Sequence, residues 1–192
     1  MSKNTKISIG ISLLIIYFFS CSVLKAQDKS KDFDPASVLN SFVGKWSGNA
    51  TAYYPRDSTK KTRYETIEAI GRKILKDTYV EMQSTWTQEN GESRELFILW
   101  NYHIKKDSFQ ILFLYDNWPG RVDYPLSYDP ISRTLKGYDT FIARGGISAE
   151  EKVEWQISED GKEIRGTEYN HLATDPEDYW PKTFEYILRR ED

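Results

Sequence analysis

The sequence predicts an all-β protein: an antiparallel, up-and-down β-barrel of about ten strands entered through one short N-terminal helix. Three observations carry that expectation. Turn dipeptides recur at fairly even spacing, at Asn90-Gly91, Pro119-Gly120, Asp129-Pro130, Gly145-Gly146 and Asp160-Gly161, with strand-like runs between them. No stretch after residue 43 has a helical period long enough to bridge parallel strands, so neighbours should run antiparallel. So many strands in one short domain must stack as a sandwich or close on themselves, and closure removes the exposed edges. A Greek-key sandwich is the competing architecture.

The first 26 of the 192 residues read as a signal peptide. Lys3 and Lys6 precede an apolar run over residues 7–19, too short to span a bilayer, which takes about 20 residues. Leu24-Lys25-Ala26 before Gln27 fits signal-peptidase cleavage. Phe18-Phe19-Ser20-Cys21 fits a lipoprotein box, with Cys21 lipidated, although Phe18 stands where lipoproteins usually carry Leu. The protein is therefore expected to be exported, periplasmic or secreted, with membrane anchoring through Cys21 as the alternative. Cys21 is the only cysteine, so the folded part has no internal disulfide and must stand on its core. Without residues 1–26 there remain 23 basic and 29 acidic side chains. That mildly acidic balance argues against nucleic acid as a partner.

Residues 27–34 are charged and have little to bury, so they read as a flexible tether. The barrel domain follows over 35–192. Asp34-Pro35 supplies an N-cap and a first-turn proline, Val38, Leu39 and Phe42 share one face, and Gly44 is expected to end the helix in a left-handed conformation. The strands are expected near 45–55, 61–70, 73–86, 94–104, 108–116, 121–128, 133–143, 151–158, 162–171 and 182–190.

Period-two alternation assigns the inward side chains. Trp46, Gly48, Ala50, Ala52 and Tyr54 share a face, and later strands each carry one apolar phase. The mature part keeps 25 aromatic residues. Aromatic rings with polar handles line small-ligand sites, and they also fill the interiors of small barrels. A cavity lined by Trp100, Tyr102, Phe113, Tyr124 and Phe141 is the binding expectation. Asp139 and Glu168 fall in inward phases, where an unpaired carboxylate is costly, so they are candidate ligand-orienting groups.

Gly44-Lys45-Trp46 entering the first strand after a short helix, the long meander and a terminal arginine resemble lipocalin-like (calycin) barrels, in particular exported bacterial ones. The resemblance implies that an arginine of the last strand covers Trp46; Arg190, in phase with Leu188 and Tyr186, is the candidate, with Arg189 as alternative. Gly44, Trp46 and Arg190 are then structural. The string through Tyr54-Pro55 also resembles the opening of nitrobindin-type haem barrels. Their haem histidine sits in a His-Leu segment leading into the last strand. Here His171-Leu172 is separated from that strand by an acidic loop, which argues against haem on His171.

Two histidines and one N-terminal cysteine assemble no zinc set, and no nucleophile elbow or phosphate loop is present. Asp175, Glu177 and Asp178 beside Tyr179-Trp180 read as a solvated acidic loop, or as a sugar or calcium site. Trp118, on an expected hairpin tip, reads as a lid, a partner contact or local packing. The sequence thus points to a protein that binds a small apolar or aromatic molecule in its barrel. An enzyme using inward carboxylates, or a filled barrel acting through its surface, are the alternatives.

Overall fold

The computed structural model describes residues 33–116, 118–143 and 145–191, with backbone alone for 118–121. The expected signal segment, Cys21, most of the expected tether and the Trp118 side chain lie outside the described residues. From Pro35 the chain forms α1 (Pro35–Asn40) and then β1 (Gly44–Ala52), β2 (Arg63–Ile74), β3 (Tyr79–Gln88), β4 (Ser93–His103) and β5 (Ser108–Tyr115). The second half forms β6 (Trp118–Asp129), β7 (Thr134–Ile142), β8 (Ser148–Ile157), β9 (Glu163–Leu172) and β10 (Lys182–Arg190). Each strand pairs antiparallel with the next, and β1 pairs with both β2 and β10. The meander therefore closes into a barrel with no free edge; the sandwich alternative is set aside.

The helix is built as its sequence dictates. Asp34 accepts hydrogen bonds from the backbone N–H of Ala36 (3.0 Å) and Ser37 (3.2 Å), satisfying first-turn donors, with Pro35 at the position that needs none. Val38, Leu39 and Phe42 are buried, and the Phe42 ring stacks on Trp100 at 4.2 Å. The helix ends at Asn40, before Gly44. Gly44, at φ +123°, instead turns the chain into β1.

Trp46 closes the barrel beneath this helix. Its Nε1 donates to the Phe42 carbonyl at 3.3 Å, and the Arg190 guanidinium lies 4.7 Å from its ring centroid. Arg190 also donates to the Ser41 carbonyl at 3.0 Å, so one side chain covers the indole and ties down the helix end.

Two turns differ from the sequence expectation. Gly71-Arg72 reads as a break between strands, but β2 runs on to Ile74. The Phe42 carbonyl would lie 1.8 Å from a Cβ at position 71, so that glycine lets the helix end dock on the sheet. The chain reverses instead at Leu75, Lys76 and Asp77, all with positive φ and none a glycine. Pro119-Gly120, expected to form a turn, lies inside β6, whose first residue Trp118 pairs with Tyr115.

Candidate functional site

The barrel's two halves are built differently. Around Trp46 the inward residues are large and apolar: Trp100, Phe109, Leu126, Leu135, Ile164 and Leu188 are all at most 3 % exposed. The same alternation carried to the other strand ends brings charged and phenolic side chains inward.

Glu65 is the clearest case. It shares its phase with Ile67 and Ala69, is only 3 % exposed, and is met by Arg94 Nη2 at 2.8 Å and Arg63 Nε at 3.0 Å. Arg94 comes from β4, in phase with Leu96 and Ile98, and its guanidinium lies over Trp86 (5.1 Å) and Phe184 (5.9 Å). Trp86 is fixed in turn by an Nε1 bond to Ser84 Oγ at 2.8 Å. Desolvation of both ions is offset here by two contacts and by ring faces, which a lone pair would lack.

Across the barrel a second set converges. Register places Asp139 of β7 beside Glu151 of β8, Glu151 beside Asn170 of β9, and Val153 beside Glu168. With its amide oriented to satisfy its neighbours, Asn170 donates to Glu151 at 3.3 Å and accepts from Thr183 at 3.3 Å. Burial, then the negative charges of Glu168 and Asp139, push the Glu151 carboxyl up to about 8. Burial pushes Glu168 up to about 7, against the pull of Arg94. Two adjacent carboxyls in a poorly hydrated space cannot both ionise cheaply, so they titrate as a pair.

Tyr115, Tyr124 and Tyr186 face this pair. Burial raises all three phenols, and the charge of Glu168 raises them further. The Tyr186 hydroxyl accepts from Trp155 Nε1. Small residues make room for the β10 rings: Ala50 and Gly166 flank Tyr186, and Ala52 flanks Phe184. Although walled in by strands, Glu151, Glu168, Tyr115, Tyr186 and Phe184 are half-buried rather than buried. Their inward phase and remaining accessible surface mark this half as less tightly packed than the half around Trp46.

This half opens at one end, where a cleft of about 390 Å³ serves as its mouth. The cleft is bordered by Ala52, Tyr54, Arg56, Glu168, Asn170 and Phe184. Arg56, in the β1–β2 loop, forms a two-pronged ion pair with Asp175 in the β9–β10 loop and donates to the Asn170 carbonyl at 2.6 Å. Asp175 also accepts from Leu172 N–H at 2.8 Å, and the Arg56 bonds hold its carboxyl below the usual range. The acidic loop is thus tied across the mouth at Asp175. A larger cleft of about 780 Å³ lies on the outer wall beside Glu68, Ile70, Gln83, Phe97 and Leu114.

The expected site residues are distributed along the barrel. Trp100 lies in the packed half, between Phe42 and Trp155, whose ring is 5.2 Å away. Tyr102 is at the closed rim, its hydroxyl donating to Asp107. Phe113 and Tyr124 meet in the middle at 6.2 Å, and Phe141 is 37 % exposed at the open end. Asp139 and Glu168 reach the open half, where Glu151, Glu65 and Arg94 join them. His171 is on the opposite phase from Asn170, stacked on Trp180 at 5.1 Å, and Lys152 lies over the other ring of that stack. Among the described residues, no three His, Cys, Asp or Glu side chains are grouped to hold a metal ion.

A scan against protein-family models finds no match, and a search of curated proteins finds no similar sequence. The closed ten-stranded antiparallel barrel with a short helix at its entry is consistent with a lipocalin-like fold. The functional reading therefore comes from the site itself.

Proposed function

We infer that this is an exported lipocalin-like binding protein that holds a small apolar or aromatic molecule in the open half of its barrel without transforming it. The observation that carries the reading is the position of Glu168, Asn170 and Phe184, which border the mouth cleft and also face the interior. A ligand entering there meets aromatic faces and a few convergent polar groups, the usual make-up of a small-molecule site. The packed half below it supplies the rigid floor. Export rests on the N-terminal segment, and the acidic mature surface leaves a small molecule, rather than nucleic acid, as the partner.

A neutral aromatic probe, N-phenyl-1-naphthylamine, tests the binding. Its fluorescence should rise saturably with the mature domain, and Asn170→Trp, which fills the mouth, should remove the rise while circular dichroism stays unchanged. Equal probe binding by the variant would put the site elsewhere. Native mass spectrometry of protein taken from its own cells should carry the bound molecule, and the intact mass distinguishes cleavage after Ala26 from lipidation at Cys21.

The coupled Glu151 and Glu168 carboxyls favour one second reading, acid–base catalysis, because groups titrating near neutrality suit proton transfer. Under it, the molecule released after incubation would differ in mass or isomeric form from the one added, and Glu168→Gln would stop the change.

A further inference from the structure

The open half holds more acid than its fixed cations answer. Among the described residues the inward carboxyls there are Glu65, Asp139, Glu151 and Glu168, and the inward cations are Arg63 and Arg94. Both arginines are engaged by Glu65, and Arg94 is further held over Trp86 and Phe184. Glu151 has an amide donor, Asn170, but no ion pair among the described residues. The Glu168 side chain is half-buried, borders the mouth cleft, and makes no hydrogen bond to any described residue. The Tyr115 and Tyr124 hydroxyls also lack a partner among the described residues.

Unmet acceptors in an enclosed, aromatic-walled space are expensive unless something enters to meet them. An anion would be repelled by the carboxyls. A neutral polyol could bond to the same oxygens, yet would leave the like charges facing one another. A positive group answers both needs, since the carboxyls attract it and the ring faces of Phe113, Tyr124, Phe184 and Tyr186 favour it.

We propose that the barrel's ligand is a small organic cation, a protonated amine with an aromatic or apolar body, whose ammonium sits between Glu151 and Glu168. The proposal rests on the reading that the open half holds a small molecule, and adds that molecule's charge. The body lies toward Phe113 and Tyr124, on the floor of the open half.

The surroundings give this binding a pH signature. Facing the carboxyl pair are Asp139 from β7, Asn170 from β9, Arg94 from β4, Tyr115 from β5, Tyr124 from β6 and Tyr186 from β10, with Arg63 and Glu65 beyond on β2. With the space empty, burial and mutual repulsion keep protons on the pair near neutrality. An arriving ammonium replaces those protons, so binding releases protons and strengthens as pH rises from 6 to 8.

The experiment uses isothermal titration of the mature domain with three probes of similar shape: phenethylammonium, 3-phenylpropan-1-ol and 3-phenylpropanoate. At pH 8 and low salt the ammonium should bind at least tenfold more tightly than the alcohol, and the carboxylate should not bind measurably. Glu151→Gln/Glu168→Gln should abolish that preference while its circular dichroism matches that of the wild type, which shows that the variant is folded. Equal affinity for ammonium and alcohol in the wild type would overturn the cation assignment, as would a preference that survives in the variant. Loss of the neutral probe from the wild type would instead overturn the small-molecule reading on which the proposal rests.

Discussion

The closed and open halves of this barrel share the same ten strands and the same alternation, yet they are finished in opposite ways. Below, Phe42, Trp46 and Trp100 interlock under Arg190, with exposures near zero and an indole bonded to the helix end. Above, Glu65, Glu151 and Glu168 replace leucine and isoleucine at equivalent inward positions. The lower half gains stability from dispersion and burial, whereas the upper half carries desolvated charge. The contrast teaches that one end is built to hold the fold and the other tolerates instability for the sake of its polar interior.

The largest expected effect comes from breaking the closed end. Trp46→Ala should cost about 3–5 kcal/mol, as truncation of a buried aromatic does. It removes the ring on which Arg190 rests and the bond to Phe42 O together. Chemical denaturation checks the loss, and ligand preference should survive at temperatures where the variant is folded. A change of preference without a stability loss would reverse the roles of the two ends.

The second effect tests the charged end. Arg94→Met strips one of two cations from buried Glu65. The loss should be smaller than the about 3–5 kcal/mol seen when a buried pair is broken outright, because Arg63 still reaches the carboxylate. Arg94→Met combined with Glu65→Met should recover part of that loss, since the buried carboxylate is gone and the part-exposed Arg63 guanidinium can turn to water. A double variant as damaged as the single one would mean that shape, and not charge, sets the cost.

How much of this was legible in the sequence follows the same division. At the closed end the relevant side chains are large, apolar and evenly alternating, so counting by twos from Leu188 reaches Arg190, and the turn into Trp46 is marked by a glycine. At the open end the inward residues are Glu and Arg near strand ends, where charge ordinarily signals solvent. Glu151 shares its phase with Val153 and Trp155, and Arg94 with Leu96 and Ile98, so the periodic signal was present. Residue type hid it. Asp139 and Glu168 stood out only because glycine and aromatic residues flanked them. The β2–β3 turn was obscured for a related reason: Leu75, Lys76 and Asp77 adopt positive φ without the glycine that would mark it.

A third test uses pH, and separates the halves by titration. Glu151 and Glu168 are raised to about 8 and about 7 in the native state, above the 4.5 of an ordinary glutamate. Between those values the native protein holds more protons than the unfolded chain, so stability falls as pH rises through that window. The empty domain should be more stable at pH 5 than at pH 8, by several degrees in Tm, with each kcal/mol worth about 2–4 °C in a domain of this size. Glu151→Gln/Glu168→Gln should flatten this dependence and raise Tm at pH 8. Trp46→Ala should lower the whole curve without changing its slope. A wild-type curve that rises between pH 5 and 8 would show that the pair ionises freely, and would remove the distinction between the halves.

The smallest expected effect concerns the strap over the open mouth. Arg56 binds Asp175 and the Asn170 carbonyl, joining the β1–β2 loop to the β9–β10 loop beside the cleft. Both groups remain in reach of water, so the pair should contribute no more than about 1 kcal/mol to stability. Arg56→Ala should therefore leave Tm within about 3 °C of the wild type. Its effect should fall on traffic, because the bond spans the entrance and leaves the ring faces inside untouched. Stopped-flow measurement with N-phenyl-1-naphthylamine should show entry and exit both accelerating, with the equilibrium affinity nearly unchanged. The matching cut at the closed end, Arg190→Ala, should behave in reverse, lowering Tm and leaving both rates alone. If Arg56→Ala changed neither rate, the ligand would not pass between these loops, and the bond would be one more surface tie holding two loops in place.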